Sequence, residues 1–147
     1  MSSHFTLDFT VRDYECDMQG IVNNAIYQNY LEHTRHEFLH THGLDFAGLT
    51  RAGVHMVVLR AELDYLKPLT SGDRFRVELT AERKTRLKVI FYQQIIRDSD
   101  GQRLLQAKIT TGIVPPERRA ELPAPLQELL ESLPKAHRNR PGYPGGT

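Results

Sequence analysis

At 147 residues, the chain is long enough to form one domain around one hydrophobic core. Hydrophobic residues make up 39% of the sequence and charged residues 25%, which is typical of a soluble globular protein. The formal net charge of +1 provides no overall field that would attract a nucleic acid or an anionic membrane surface, so neither is expected as a partner. There is no run of about 18 apolar residues, which excludes a membrane-spanning helix from the predicted elements.

The first predicted element is a β-strand over residues 5–12. Its apolar side chains alternate with polar ones, as in a strand with one buried face, and the apolar set is Phe5, Leu7, Phe9 and Val11. The alternation then stops, and residues 13–24, which include Gly20, are predicted to form a loop.

Cys16, in this loop, is the only cysteine of the chain. A single cysteine cannot form an internal disulfide, which favours a reducing compartment such as the cytoplasm. The first five residues contain neither a basic segment nor an apolar one, so no signal peptide is expected.

A long helix is predicted from Asn24 to about Thr41. Its apolar stripe recurs at helical spacing and consists of Ile26, Tyr27, Tyr30, Leu31, Thr34, Phe38 and Leu39. Asn23 or Asn24 is a suitable N-cap, and Gly43 is a suitable C-terminal stop. Because the apolar stripe is wide, we expect the helix to pack in the core against a sheet.

Four further strands are predicted after the helix, each with apolar residues at alternate positions. These apolar sets lie within residues 57–65, 75–81, 87–95 and 103–113, and Gln93 interrupts the third. Asp100-Gly101 closes the hairpin between the last two strands. Because the connections are short, we expect these strands to pair antiparallel with their neighbours in sequence. The predicted fold class is therefore α+β, an antiparallel sheet wrapped around one long central helix.

A short amphipathic helix is predicted near the C-terminus, behind Pro125. Its apolar side chains are Leu126, Leu129, Leu130 and Leu133. Residues 135–147 are rich in proline and glycine and contain almost nothing to bury, so we expect them to be disordered. The predicted organisation is one domain over residues 1–134 followed by a tail over residues 135–147.

The stretch from Val11 to Arg35 resembles the N-terminal signature of hot-dog-fold thioesterases of the 4-hydroxybenzoyl-CoA thioesterase type. The run Val22-Asn23-Asn24-Ala25, with a tyrosine two residues later, is similar to that of bacterial long-chain acyl-CoA thioesterases and plant acyl-lipid thioesterases. Tyr65-Leu66-Lys67-Pro68 and the following Ser71-Gly72-Asp73 match the family's second-strand ending. The resemblance spans roughly residues 5–115.

This resemblance implies a hot-dog fold and hydrolysis of an acyl thioester carried by coenzyme A or by acyl carrier protein, as in fatty acid metabolism, without a cofactor. The family's catalytic carboxylate falls on Asp17, and its carbonyl-polarising backbone N–H falls at about Asn24. Family members assemble as homodimers or homotetramers with the site between subunits. Glu15 and Cys16 differ from the aspartate and threonine of many relatives, and Ile21 stands where some long-chain enzymes carry histidine. The acyl specificity therefore stays open.

The chemistry of thioester hydrolysis suits a carboxylate beside a helix start. An ionised Asp17 can attack the carbonyl or deprotonate a water, and the sequence leaves both routes open. The unpaired N–H groups at a helix start can stabilise the oxyanion. Gly20 allows a close turn that leaves room for the thioester. Further candidate substrate-binding residues are Val22, Asn23 and Tyr27. The structural alternative for Asp17 is a loop carboxylate that caps a turn.

Basic residues crowd the predicted turn between the third and fourth strands. Arg83, Lys84 and Arg86 are candidates for binding the phosphates of coenzyme A or an acidic carrier protein, and a solvated turn is the alternative. His33, His36, His40 and His42 straddle several helical faces, so a surface cluster is favoured over a metal site. Glu32 is a candidate second carboxylate, because another branch of hot-dog thioesterases has its catalytic glutamate there.

Two other functions are compatible with the same fold. A hydratase or dehydratase needs a catalytic histidine in a His-x-His-Phe-like context, which His4, His40 and His42 do not provide. A non-catalytic acyl-CoA-binding protein needs no catalytic carboxylate, and fold alone does not separate it from an enzyme.

Overall fold

The computed structural model describes residues 4–117 and 120–136. Its helices and strands, in chain order, are β1 (Phe5–Thr10), α1 (Asn24–Thr41), α2 (Phe46–Arg51), β2 (His55–Tyr65), β3 (Arg74–Thr85), β4 (Lys88–Arg97), β5 (Arg103–Val114) and α3 (Ala124–Ser132). None of the helices in this part of the chain is both long and apolar enough to cross a membrane.

The five strands form one antiparallel sheet in the order β1-β3-β4-β5-β2. This confirms the α+β arrangement that the sequence predicted, but one pairing was wrong: β2 pairs with β5 and not with β3. Residues 66–73 join β2 to β3 across one end of the sheet. Eight residues can span about 26–29 Å, whereas three strand spacings measure only about 15 Å, so this connection is long enough to pass two strands.

The central helix has the predicted bounds, Asn24–Thr41. Asn23 is its N-cap, and the side chain of Asn23 accepts a hydrogen bond from the Ala25 N–H at 3.1 Å. Beyond the helix, Gly43 has a φ of +75°, a conformation that favours glycine, so it terminates the helix as predicted.

The core lies between α1 and the concave face of the sheet. The predicted inward set of β3 is completely buried and consists of Phe75, Val77, Leu79 and Ala81. Phe75 stacks on Phe9 of β1 at 5.1 Å and meets Tyr30 of α1 edge-on at 4.8 Å. Each large apolar side chain that is fully buried here contributes about 1.5–3 kcal/mol, which holds α1 against the sheet.

Gln93 interrupts the apolar set of β4 and is fully buried. Its side-chain amide donates to the Leu31 carbonyl at 2.9 Å and accepts from the Arg35 guanidinium at 3.0 Å. Desolvation lowers the pKa of Arg35 to about 10. Gln93 therefore supplies a hydrogen-bond acceptor to the half-buried Arg35 guanidinium, and its two bonds join the middle of α1 to the middle of the sheet.

Strand β2 forms an edge of the sheet, and its apolar residues are not buried as a set. The register shifts between Val58 and Arg60, which breaks the strict alternation of the sequence. Val58 and Leu59 keep half of their surface exposed, and Val57 keeps 40%. On its outer side, β2 pairs with no strand of the described residues.

Two helices flank the sheet. The first is α2, a six-residue helix that was not predicted and whose N-cap is Asp45. The second is α3, and its prediction from the sequence, with Pro125 in the first turn, is confirmed. Beyond α3, Lys135 forms a parallel bridge with Arg83. Most of the predicted disordered tail, residues 137–147, lies outside the described residues.

Candidate active site

The loop that contains Asp17 is a small hairpin. Cys16 and Val22 form an antiparallel bridge at its base, and the Asp17 N–H donates to the Ile21 carbonyl at 2.9 Å. Gly20 closes the turn with a φ of +80°, and its N–H donates to the Asp17 carbonyl at 3.0 Å. The left-handed φ explains why glycine occupies this position.

The Asp17 carboxylate is exposed and has two different oxygens. Oδ1 accepts hydrogen bonds from the Gln19 N–H at 2.8 Å and the Ile21 N–H at 3.3 Å. This is the turn-capping geometry of the structural alternative. Oδ2 accepts no hydrogen bond from the described residues, so capping leaves one carboxylate oxygen available for chemistry.

The start of α1 presents a backbone donor that the described residues leave unpaired. The Ala25 N–H donates to the Asn23 side chain, and the Ile26 N–H donates to the Asn23 carbonyl at 2.9 Å. The Asn24 N–H has no acceptor among the residues that the structure describes. It therefore adds a free hydrogen-bond donor to the positive end of the helix dipole.

The hairpin and the helix start are tied to the connection between β2 and β3. The Val22 N–H donates to the Leu69 carbonyl at 2.9 Å, and the Leu69 N–H donates to the Tyr27 hydroxyl oxygen at 2.9 Å. The Ser71 hydroxyl bonds the Asp13 carboxylate. Burial raises the pKa of Tyr27, so its phenol stays neutral and serves as a brace and wall of the site.

An open cleft of about 180 Å³ lies at the helix start. Its lining residues are Ile21, Val22, Asn24, Tyr27, Tyr65, Leu66, Lys67 and Pro68. Of the residues predicted from sequence, the cleft brings together Val22, Asn24 and Tyr27, while Asp17, Gly20 and Asn23 belong to the adjoining hairpin and cap. Tyr65 and Lys67 were not proposed as site residues, although their Tyr-Leu-Lys-Pro run was part of the resemblance.

A larger open groove, of about 740 Å³, lies on the other flank of α1. It is lined mainly by polar residues of β1, of the loop that follows β1, and of α1. Its lining includes neither Asp17 nor Asn24. Volume alone therefore does not identify the site; the unpaired donor and the free carboxylate oxygen make the Asp17 hairpin and the start of α1 the candidate site.

The basic cluster lies far from Asp17 within one chain. Arg83, Lys84 and Arg86 occupy the turn between β3 and β4, whereas the Asp17 hairpin contacts the connection that precedes β3. The length of β3 separates the two by roughly 35 Å. The Arg83 guanidinium bonds the carbonyls of Thr85 and Arg86 at 3.3 and 3.4 Å, which orders this turn.

The other candidates have structural contacts. His33 and His40 both lie near Glu37, at 3.8 and 3.4 Å, and the His36 ring lies tilted against Phe46 of α2 with the ring centroids 4.1 Å apart. Burial lowers the pKa of His36. The described residues contain no group of three or more histidine, cysteine, aspartate or glutamate side chains that could hold a metal ion.

Glu32, the remaining candidate, and Cys16, the neighbour of Asp17, have different surroundings. Glu32 is exposed on α1 and lines a separate cavity with Arg35. Desolvation and the neighbouring carboxylates, Asp13 first among them, raise the pKa of the Cys16 thiol. Its protonated form is therefore favoured, which does not suit a nucleophile.

The family of the chain is decided by a match that covers most of the described fold. Residues 11–133 match the family model of the thioesterase-like superfamily. The chain belongs to this superfamily. The match begins just before the Asp17 hairpin and ends after α3, so the candidate site and all strands except β1 lie within it.

Two relatives illustrate the range of this superfamily. The chain is 35% identical over 108 residues to the acyl-acyl carrier protein thioesterase ATL3 of Arabidopsis thaliana, covering 74% of this chain and 57% of ATL3. It is 27% identical over 127 residues to the long-chain acyl-CoA thioesterase FadM of Escherichia coli, covering 85% of this chain and 96% of FadM. The chain spans a little over half the length of the plant relatives that it matches.

The fold has a solved counterpart. The structure of Slr0204, a 1,4-dihydroxy-2-naphthoyl-CoA thioesterase from Synechocystis, superposes with a TM-score of 0.80 at 22% identity. The superposition covers 88% of this chain and 97% of that one. This likeness confirms the hot-dog fold that the sequence predicted.

Proposed function

We propose that the protein hydrolyses an acyl thioester, with Asp17 as the reacting carboxylate and the Asn24 N–H as the oxyanion donor. The observation that carries the proposal is that Asn24, whose N–H has no acceptor among the described residues, lines a cleft next to the Asp17 hairpin. Membership of the thioesterase-like superfamily supports the same chemistry.

In this mechanism the thioester carbonyl oxygen accepts a hydrogen bond from the Asn24 N–H, and the dipole of α1 stabilises the negative charge that develops there. The free Oδ2 of Asp17 either attacks the carbonyl carbon or removes a proton from a water that attacks it. The carbon–sulfur bond then breaks. The products are a carboxylic acid and a thiol, and the water supplies the oxygen and the proton that balance the reaction.

The test is Asp17→Asn in a thiol-release assay on acyl-CoA substrates. Asparagine keeps a carbonyl oxygen that accepts from Gln19 and Ile21, so the turn is preserved and only the reactive carboxylate is lost. We expect turnover to fall by orders of magnitude with little change in melting temperature. If Asp17 only caps the turn, the variant will be as active as the wild type. If neither protein releases thiol from acyl groups on coenzyme A or on acyl carrier protein, the proposed hydrolysis is refuted and a binding protein without catalysis is favoured.

The two possible roles of Asp17 can be separated by a single turnover in water labelled with heavy oxygen. Nucleophilic attack forms a mixed anhydride between Asp17 and the acyl group, and water that opens it at Asp17 leaves label in the enzyme. General-base catalysis delivers the label to the acid product alone. Label in the Asp17 peptide, detected by mass spectrometry, therefore demonstrates nucleophilic attack.

The proposed assembly is a homodimer, or a homotetramer of such dimers, in which two β2 edges pair. The exposed apolar Val57, Val58 and Leu59 and the unpaired outer side of β2 support it. His55, the first residue of β2, lies at the same end of the sheet as the β3–β4 turn. Tyr65, the last residue of β2, lies at the opposite end, where it lines the cleft. In a twofold antiparallel pair, each cleft then lies at the same end as the other subunit's basic turn.

This assembly is the arrangement in which the basic turn can serve the site. Arg83, Lys84 and Arg86 lie about 35 Å from Asp17 within one chain, but only three or four strand spacings, roughly 15–20 Å, from the paired edge. They can then bind the phosphates of coenzyme A or the acidic surface of a carrier protein. Both carriers are proposed because ATL3 is named for acyl carrier protein and FadM for acyl-CoA.

The acyl group and its carrier are best identified by a substrate panel. Acyl chains of graded length, each offered on coenzyme A and on acyl carrier protein, give kcat/KM values for every pair. Replacing Arg83, Lys84 and Arg86 together by glutamine should raise KM for the preferred carrier and leave turnover of a short thioester without phosphates unchanged. An unchanged KM for both carriers would exclude the basic turn from substrate binding.

A further inference from the structure

A buried tyrosine of α1 is bonded to the carboxylate that precedes the Asp17 hairpin. The Tyr30 hydroxyl donates to Glu15 Oε1 at 2.8 Å, and the same oxygen accepts the Arg12 N–H at 2.8 Å. Tyr30 is only 5% exposed. Burial, and then the hydrogen bond to Glu15, raise the pKa of Tyr30, so the phenol remains a donor at neutral pH.

Glu15 also contacts the start of α1 through its backbone. Its carbonyl accepts the Asn23 N–H at 3.1 Å, directly beneath the Cys16–Val22 bridge that closes the hairpin. Asn23 is the N-cap and is followed by the proposed oxyanion donor, Asn24. The main chain of Glu15 is therefore bonded to the N-cap. Its side chain is bonded to Tyr30, which lies about 9 Å further along the same helix.

These bonds place Glu15 between the two halves of the proposed site. The hairpin that carries Asp17 is exposed, and the described residues bury little of it. On one strand of the hairpin, the bonds made by Glu15 hold it to α1. The other strand continues through Val22 into the N-cap and contacts the connection before β3, where Gly20, Ile21 and Val22 meet Ser71, Thr70 and Leu69.

We propose that Tyr30 and Glu15 are positioning residues that set the distance between the Asp17 carboxylate and the Asn24 N–H. The proposal rests on the proposed function, because it assigns a geometric role in that same reaction. Neither residue touches the substrate in this scheme. A displacement of about 1 Å at a reacting group can lower the rate about 100-fold, so a hydroxyl behind the site can control turnover.

The main test is Tyr30→Phe, which removes the hydroxyl and keeps the ring. The ring contacts with Phe9 at 5.3 Å and Phe75 at 4.8 Å remain available, so the core stays packed. We expect kcat to fall about 10- to 100-fold while KM changes less than about twofold, because the lost bond affects alignment and not substrate affinity. Tyr14→Phe is the matched control, since Tyr14 is 80% exposed and lies beside Glu15.

Two variants of the partner residue complete the test. Glu15→Gln keeps an oxygen that accepts from Tyr30 and Arg12, and we expect it to retain most of the turnover. Glu15→Ala removes that oxygen and should match Tyr30→Phe, and the double variant should be no slower than either alone. If Tyr30→Phe does not fold, the difference between Glu15→Ala and Glu15→Gln decides the question.

The outcomes separate this inference from the proposed function. If Asp17→Asn is inactive while Tyr30→Phe has wild-type kcat, the positioning role is overturned and the function stands. A rise in KM with unchanged kcat, or equal losses in Glu15→Gln and Glu15→Ala, also overturns it. If Asp17→Asn is as active as the wild type, the proposed function fails and the positioning role fails with it.

Discussion

Removal of the Asn24 N–H is the sharpest perturbation that this site allows. Asn24 is the first residue of α1, a position where proline is well tolerated because its N–H is not used within the helix. The preceding Asn23 has φ −64° and ψ 140°, a conformation compatible with a following proline. Asn24→Pro therefore deletes one backbone donor and leaves the helix otherwise intact.

The expected magnitude follows from the contacts of that N–H. It has no acceptor among the described residues, so its loss breaks none of the hydrogen bonds that the structure shows. We expect the free energy of unfolding to change by less than about 0.5 kcal/mol, as for other exposed substitutions. Loss of one oxyanion donor costs about 2.7–4 kcal/mol in the transition state, which lowers kcat about 100- to 1,000-fold.

The assay compares Asn24→Pro with Asn24→Ala. Alanine removes the amide side chain but keeps the backbone N–H, so it should retain nearly full turnover in the thiol-release assay. Melting curves of both variants check that α1 still forms. Wild-type turnover in a folded Asn24→Pro protein would refute the oxyanion role, and equal losses in both variants would assign the effect to the side chain instead.

Three further predictions concern the surroundings of the site. Gln93→Leu should lower the free energy of unfolding by about 1–3 kcal/mol, because the half-buried Arg35 guanidinium loses its acceptor. Urea titration measures this change, and an unchanged unfolding midpoint would contradict the prediction. Burial lowers the pKa of His36 in the folded protein, so the unfolded chain binds more protons and stability should decline as the pH falls below about 6.5. Melting temperatures between pH 7.5 and 5.5 should show a shallower decline in His36→Gln. Leu59→Lys should shift the protein from dimer to monomer in light scattering and lower turnover, whereas an unchanged mass would argue against pairing of the β2 edges.

The local elements were largely predictable because their signals are local. The bounds of α1 follow from its apolar spacing, the Asn23 cap and the Gly43 stop, and each of these operates within a few residues. The buried set of β3 likewise follows from alternation alone. The six-residue α2 was missed, because one turn and a half contains too few positions to establish a helical period.

The candidate site was predictable only in part, for a different reason. Asp17 and Asn24 were selected by resemblance, and their roles stay predictions until the variants are measured. The bonds around them were not legible in the sequence: Tyr30 looked like an ordinary core residue, and Glu15 looked like a departure from the family pattern. Residues 15 positions apart in the chain meet only after the loop folds back onto the helix.

The sequence by itself determined the five strands, helices α1 and α3, the α+β class and the positions of the cap, the turn glycine and the carboxylate. These depend on periodicity and on backbone conformation, which neighbouring residues control. The tertiary structure decided that β2 lies beside β5, that Gln93 meets Arg35, and that Asn24, whose N–H the described residues leave unpaired, lines a cleft. These arrangements depend on which residues, distant in the chain, bury surface against each other and form hydrogen bonds. Patterns among neighbouring residues do not specify such long-range contacts.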